Sequence, residues 1–164
     1  MQRLPIQVVS KLDYCRSVPA GLPGSLIRLQ SVFSSAARLV YSARRSERVT
    51  PLLRELHWLR VPERIQFRLC VLTYRCLHGS APSYLAETLH LTSDMESRRR
   101  LQSRSTSSLM VPPSRRATLG DRAFPVAAAQ AWNSIPTSVR SLSSYLTFRR
   151  NLKSLLFNAL FQDD

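Results

Sequence analysis

Arginine is the residue type in this sequence whose number and spacing could do chemistry. The 164-residue chain holds 22 arginines and two lysines against ten acidic residues, which gives a formal net charge of +14 and a pI near 11.3. Each guanidinium presents a planar fork of N–H donors that matches the oxygens of a phosphate group. A charge of this size therefore indicates a polyanionic partner, such as nucleic acid or an acidic membrane surface.

The basic residues are concentrated in four stretches, residues 44–48, 98–104, 115–122 and 149–153. Three more arginines share one face of a predicted helix. A groove lined by such residues would bind phosphates with little sequence preference and a steep salt dependence. The alternative is a soluble basic surface that reflects only an arginine-rich composition. The candidate phosphate contacts are Arg64, Arg68, Arg75, Arg98, Arg99, Arg100, Arg115, Arg116 and Arg122.

Catalytic and metal chemistry have little support in the sequence. Cys70 and Cys76, with the three histidines, match no zinc-ligand spacing, so we interpret both cysteines as core residues. Four glycines are too few for a Gly-rich phosphate loop. Phe161-Gln162-Asp163-Asp164 resembles a polymerase palm signature, but that chemistry needs carboxylates on a β-hairpin and a neighbouring strand, and this pair follows a predicted helix. We predict no catalytic residue, no metal site and no cofactor.

Three features of the sequence indicate in which cellular compartment the protein is expected. The chain has no run of 18 apolar residues, so no transmembrane helix is predicted. The apolar stretch at the N-terminus is too short for a secretory signal. Three cysteines without a CxxC spacing favour a reducing compartment. We expect an intracellular protein of the nucleus and/or cytoplasm that has no membrane partner.

The elements that must position the arginines are predicted to be helices. Hydrophobic residues make up 44% of the chain, enough for a core. The pattern predicts a mainly α fold: a small helical domain of about five helices, with a long basic Ser/Arg/Pro loop and at most a short strand or hairpin. The predicted segments are an irregular N-terminal part (1–21), a helical block (22–91), the basic loop (92–120) and a C-terminal helical block (121–162).

In the first block, a helix is expected from Pro23 to around Arg44–Arg48. Thr50-Pro51 reads as an N-cap followed by the first position of a short helix that ends near Leu59. A third helix, about 62–78, is apolar almost all round and stops at Gly79. Its narrow arginine stripe is either a solvent face or a ridge that contacts phosphates. The apolar face of the first helix is expected to comprise Leu26, Leu29, Phe33, Ala37, Val40 and Tyr41.

Later in the chain, Ala81-Pro82-Ser83 starts a short helix in which Tyr84 is expected to be buried. Leu109-Met110-Val111 reads as a short strand within the basic loop. Asp121 is the expected N-cap of a helix from Arg122 to about Ser134. A last helix, capped by Ser143 or Ser144, should run to about Phe161. Its apolar face is predicted to comprise Leu146, Phe148, Leu152, Leu155, Leu156, Ala159 and Leu160.

An ordered series of short motifs along residues 10–161 resembles the C-terminal region of the reverse-transcriptase polyprotein of LINE-type (non-LTR) retrotransposons. Each piece is weak alone, and the ordered set is specific. One departure is Arg60, which stands where a proline is expected in that family. The pieces that carry the resemblance are Leu12-Asp13-Tyr14-Cys15, Arg38-Leu39-Val40, Thr50 to Leu59, Glu63-Arg64-Ile65, Leu72 to Gly79, Ala81 to Leu85, Val111-Pro112, Gly120 to Phe124, Trp132 to Pro136, and Phe148-Arg149.

The resemblance implies a region that follows the palm and thumb of an RNA-directed DNA polymerase and helps to hold template RNA or target DNA. It implies RNA and/or DNA as partners, bound through phosphates, and the upstream reverse-transcriptase domain as a second partner. No catalytic residue of the family can be carried over, because the palm motifs match no position here. Self-association is expected if the apolar third helix lacks the thumb beside it.

Two alternatives stay open beside a non-catalytic binding module. The first is the family's own reverse-transcriptase activity, so the sequence leaves it undecided whether the chain is an enzyme. The second is an inert relic of a mobile element that has no selected activity.

Overall fold

The computed structural model describes residues 23–94, 107–113 and 123–162. Within these stretches the chain forms seven α-helices, a 3-10 turn at Thr92–Asp94 and an isolated antiparallel β-bridge between Leu91 and Leu109. The predicted mainly α class is confirmed. The helices are α1 (Pro23–Tyr41), α2 (Val49–Glu55), α3 (Val61–Leu77), α4 (Ser83–Ala86), α5 (Phe124–Asn133), α6 (Thr137–Arg140) and α7 (Tyr145–Phe161).

The chain forms two compact units, which are described separately. Unit 1 comprises Met1–Ile65 and Leu156–Asp164, and unit 2 comprises Gln66–Leu155. The predicted irregular segment 1–21 and most of the predicted basic loop 92–120 lie outside the described residues. The division of the chain into four segments therefore stays a prediction.

Unit 1 has a core that mixes small, aliphatic and aromatic side chains, and Phe33 is its largest fully buried residue. Helix α1 packs against α2, and Ala37 and Leu53 are buried there in one cluster with Phe161. The side-chain oxygen of Gln30 accepts a hydrogen bond from the backbone N–H of Val61 at 2.9 Å. This bond satisfies one of the N–H groups that the first turn of α3 cannot pair internally. The half-buried residues around the cluster are Val49, Leu52, Leu56, Trp58, Phe157 and Leu160.

Unit 2 has an aromatic core. Trp132 and Phe148 are its largest fully buried side chains, and their ring centroids lie 5.8 Å apart. Buried Thr73 on α3 satisfies its hydroxyl by donating to the carbonyl of Leu69 at 2.8 Å, so this polar group costs little. The other buried residues of the unit are Cys70, Tyr74, Cys76, Leu109, Val126, Ala128, Ala129, Ile135, Val139 and Leu152.

Three helices end in the same way, at a residue in the left-handed region. These residues are Ser42 after α1 (φ 51°), His57 after α2 (φ 52°) and Gly79 after α3 (φ 66°). In each case two backbone N–H groups turn back to carbonyls of the last helical turn, which is the Schellman arrangement. The predicted stop at Gly79 is confirmed.

The two non-glycine stops correct the predicted ends of the first two helices. Helix α1 ends at Tyr41 rather than near Arg44–Arg48, because Ser42 adopts the left-handed conformation. Helix α2 ends at Glu55 rather than near Leu59 for the same reason at His57. A non-glycine residue adopts this conformation at a cost, and no sequence pattern marks where it will do so.

Two helix starts also differ from the prediction. Helix α2 begins at Val49, so Thr50 is not its N-cap, and the Thr50 hydroxyl accepts a hydrogen bond from Arg60 at 3.3 Å. Helix α5 begins at Phe124 and not at Arg122, because Ala123 is extended (ψ 136°) and Pro125 sits in the first turn. Proline fits the first turn, where its missing N–H would have no partner, and would disrupt a later one.

Five residues predicted to be buried are exposed, and one of them is Ala159 near the end of α7. Val40 and Tyr41, in the last turn of α1, are each 39% exposed, and Tyr41 lies beside the Glu55 side chain at the end of α2. Tyr84 is 68% exposed on the single-turn helix α4, which is too short to bury a continuous face. Leu146 is 73% exposed because it lies about 160° around α7 from buried Phe148.

Candidate nucleic-acid interface

Three of the predicted phosphate contacts lie on α3. Arg64, in unit 1, is half-buried, with its guanidinium carbon 4.7 Å from the ring centroid of Phe33. That distance is typical of a cation–π contact, so part of this side chain serves the fold. Arg68 and Arg75, in unit 2, are exposed.

Arg75 has a structural role at the end of α3. Its Nε and one terminal nitrogen donate to the carbonyl of Ser80 at 3.2 and 2.8 Å. These two hydrogen bonds hold the guanidinium beside the turn at Gly79 and engage only some of its N–H donors. The remaining N–H groups can still reach an anion.

The other six predicted contacts, with the expected N-cap Asp121 and the terminal pair Asp163 and Asp164, lie outside the described residues. These contacts therefore stay predictions. They are Arg98, Arg99, Arg100, Arg115, Arg116 and Arg122.

A basic face on α7 was missing from the predicted contacts. Arg149, Arg150 and Lys153 are all exposed, and they fall within about 100° of the helix circumference. The buried residues Phe148 and Leu152 lie about 150° and about 110° around the helix from the centre of this face. No acidic residue occurs in the sequence of α7, so no neighbour on the helix neutralises this face. The cluster 149–153 was the sequence signal that pointed to it.

The segment between the two arginine-rich stretches is held by side chains of α5 and α6. The Asn133 amide pairs with both backbone groups of Leu109, accepting from its N–H at 2.9 Å and donating to its carbonyl at 2.8 Å. The Trp132 indole N–H donates to the carbonyl of Ser107 at 2.6 Å, and Arg140 donates to the Ser108 hydroxyl at 2.9 Å. Arg140 therefore serves the fold, and the Trp132-Asn133 motif acts as a clamp on residues 107–109.

The same segment forms backbone hydrogen bonds with the residues that follow α4. Backbone hydrogen bonds run from Thr92 N–H to the Ser108 carbonyl at 3.0 Å and from Met110 N–H to the His90 carbonyl at 2.9 Å. This pairing surrounds the β-bridge of Leu109, which is 2% exposed. These hydrogen bonds hold residues 90–92 beside residues 108–110, which precede and follow the sequence from Arg98 to Arg104.

Unit 2 also contains a stack of aromatic rings. The Tyr74 ring lies nearly parallel to His78 (3.9 Å, 14°) and to Phe148 (4.4 Å, 22°). Rings at such distances must cover opposite faces of Tyr74. Tyr145 lies 6.0 Å from Tyr74, and the Arg149 guanidinium lies 5.5 Å from the Tyr145 centroid. Tyr74 is buried and His78 is exposed, so the stack runs from the core to the surface.

The cysteines that the structure describes are core residues, as predicted. Cys70 and Cys76 are buried, and both thiols are free. Burial raises the pKa of the Cys70 thiol to about 12, and the thiol donates to the carbonyl of Ala131 at 3.3 Å. A thiol held in its neutral form is a poor nucleophile and a poor metal ligand.

The described residues form neither a candidate metal site nor a membrane-spanning helix. In residues 23–94, 107–113 and 123–162, no group of three or more His, Cys, Asp or Glu side chains is arranged to hold a metal ion. None of the helices in this part of the chain has both the length and the apolar character needed to span a bilayer.

Comparison with known proteins returned no match: no family model, no curated protein and no solved structure is similar to this chain at a significant level.

Proposed function

We propose that this chain is a non-catalytic nucleic-acid-binding module that contacts the phosphate backbone of RNA or DNA. We further propose that it originates from the C-terminal region of a LINE-type retrotransposon reverse transcriptase. The ordered motifs of residues 10–161 support the origin. The exposed basic face Arg149, Arg150 and Lys153 is the observation that carries the activity.

The α7 face suits phosphate binding because it combines charge with a rigid support. Its three cations project from a helix that is anchored by Phe148 and Leu152, both 0% exposed. Cations fixed on a packed helix lose less conformational freedom on binding than cations on a free chain. Two of the three are arginines, which bind phosphate oxygens through paired donors.

The clamp on residues 107–109 supports the same function. It ties the segment between two arginine-rich stretches to α5 and α6 through Trp132, Asn133 and Arg140. Both stretches therefore adjoin an ordered segment of unit 2. The arginines of these stretches, from Arg98 to Arg122, are then additional phosphate contacts of the proposed module.

The test is a fluorescence-anisotropy titration of labelled structured RNA and duplex DNA with two matched triple variants. One variant changes Arg149, Arg150 and Lys153 to Gln. The control changes Arg44, Arg45 and Arg48 to Gln, and so removes the same number of exposed charges elsewhere. Because each lost phosphate contact removes the release of bound counterions, we expect the α7 variant to bind at least about 10-fold more weakly than the control.

Two outcomes would contradict the proposal. If the two triple variants weaken binding equally, binding follows net charge and does not depend on the α7 face. If the unmodified chain binds neither nucleic acid at low salt, the proposed function is wrong. Primer extension with Mg²⁺ on the same samples should give no product, and extension would instead support the polymerase alternative.

A further inference from the structure

The outer face of the His78 ring is a feature that phosphate binding does not use. His78 is exposed, and one of its faces lies on Tyr74 with a centroid distance of 3.9 Å and an angle of 14°. Behind Tyr74 the stack continues to Phe148, which is fully buried. The exposed ring is thus the last member of a stack that is anchored in the core of unit 2.

Hydrogen bonds fix the orientation of the Tyr74 and His78 rings. The Tyr74 hydroxyl donates to the carbonyl of Ser143 at 2.6 Å. The Nδ1–H of His78 donates to the carbonyl of Tyr74 at 2.9 Å, since a carbonyl can only accept. That bond leaves Nε2 at the ring edge as the nitrogen that a ligand can reach. A ring held in this way loses little rotamer freedom when a planar ligand stacks on it.

Two cations, Arg75 and Arg149, lie near residues of this stack. Arg75 precedes His78 by three residues on the same helix side, and its guanidinium is held at the Ser80 carbonyl. Arg149 lies over Tyr145, whose ring is 6.0 Å from Tyr74. A planar group on His78 would therefore have positive charge nearby for the phosphates attached to it.

We infer that His78 is a stacking site for one unpaired base of a single-stranded nucleic acid. Arg75 and Arg149 contact the phosphates that flank this base. Aromatic platforms with adjacent cations are a general solution for binding single strands, because every base has a flat face and a phosphate on each side. This inference rests on the proposed function and adds the class of substrate: single strands or loops with accessible bases.

The experiment compares a single-stranded oligonucleotide with a duplex of the same length, each binding to the full chain. The variants are His78→Ala, which removes the ring, and His78→Trp, which restores a flat face. The matched control is His57→Asn. His57 is also exposed, also follows an arginine by three residues, and also bonds a backbone carbonyl through Nδ1, at 3.0 Å. Its ring meets Phe157 edge-on at 70° and so extends no stack.

We expect His78→Ala to bind the single strand about 10-fold more weakly, which is within the range for loss of one base–aromatic stack. Binding to the duplex should be unchanged, because its bases are paired and stacked on one another. His78→Trp should bind the single strand at least as tightly as the unmodified chain, and His57→Asn should match it. Circular dichroism of each variant checks that the helices are retained.

A second oligonucleotide, in which every base is replaced by an abasic site, separates bases from phosphates. The unmodified chain should bind it as weakly as His78→Ala binds the normal single strand, and His78→Ala should lose no further affinity on it. Equal single-strand affinity for all variants, while duplex binding stays salt-dependent, would overturn the stacking site and leave the proposed function intact. Duplex binding without a salt dependence would overturn both.

Discussion

Two short stretches of this chain have nearly the same sequence and place their histidines differently. Arg54-Glu55-Leu56-His57 ends α2 in unit 1, and Arg75-Cys76-Leu77-His78 ends α3 in unit 2. Both histidines are exposed and donate Nδ1–H to a carbonyl of the preceding turn. His57 meets Phe157 edge-on at 70°, whereas His78 stacks on Tyr74 at 14°.

The difference follows from which residue ends the helix. In α2 the histidine itself adopts the left-handed conformation, and the residue four positions earlier is Leu53. In α3 the left-handed residue is Gly79, so His78 keeps a helical position above Tyr74, four residues earlier. Side chains four residues apart are neighbours on a helix. A stacking face therefore requires a glycine stop and an aromatic residue one turn back, in addition to the histidine.

The largest predicted effect is a loss of stability on removing a phenylalanine ring, Phe148 in unit 2 or Phe157 in unit 1. Phe148→Ala should lower the free energy of unfolding by about 3–5 kcal/mol, because it removes a fully buried ring that contacts Tyr74 and Trp132. Phe157→Ala, at a half-buried position in unit 1, should cost less. Urea unfolding followed by circular dichroism measures both values. Equal losses would mean that the parallel stack contributes nothing beyond the edge-on cluster.

An intermediate effect is expected at the glycine stop. Gly79→Ala should destabilise the protein by about 1–2 kcal/mol, because alanine must then adopt the left-handed conformation that glycine adopts freely. The site is open, with no atom within 4 Å of an added Cβ, so crowding does not contribute. Gly79→Asn should cost less, since asparagine tolerates this conformation. Equal losses of stability for Gly79→Ala and Gly79→Asn in thermal melts would contradict this explanation.

The smallest effect is expected at the Tyr74 hydroxyl. Tyr74→Phe keeps the stack and removes the hydrogen bond to Ser143, which should cost about 1 kcal/mol. We expect its affinity for single-stranded nucleic acid to fall only slightly, because the His78 ring remains in place. A loss as large as that of His78→Ala would indicate that the hydroxyl, and not the ring stack, controls binding. The same anisotropy titration provides this measurement.

Much of the fold was accessible from the sequence because its signals are local. Gly79 marked the end of α3, and the spacing of apolar residues predicted α7 up to Phe161, as the structure has it. The stops at Ser42 and His57 were not accessible, because the cost of a left-handed non-glycine residue is offset by packing that the sequence does not display. The single-turn helix α6 was also missed, since four residues carry no periodic pattern.

The candidate site was less accessible, because its parts meet only after folding. The Asn133 clamp joins residues 24 positions apart, and the stack joins α3 to α7 through Tyr74 and Phe148. Neither pairing leaves a spacing that a single sequence reveals. Arginine clusters were visible, yet the sequence did not distinguish Arg140, which serves the fold, from Arg149, which is exposed. The arginines of the basic loop remain predictions.

The central claim is phosphate binding, and the salt dependence of duplex DNA binding by the unmodified chain tests it most directly. If Arg149, Arg150 and Lys153 each neutralise a phosphate, the logarithm of the association constant should fall against the logarithm of salt concentration with a slope of about −2.7 or steeper. Contacts from other arginines would steepen it further. A slope near zero would contradict the account, because binding would then release no counterions.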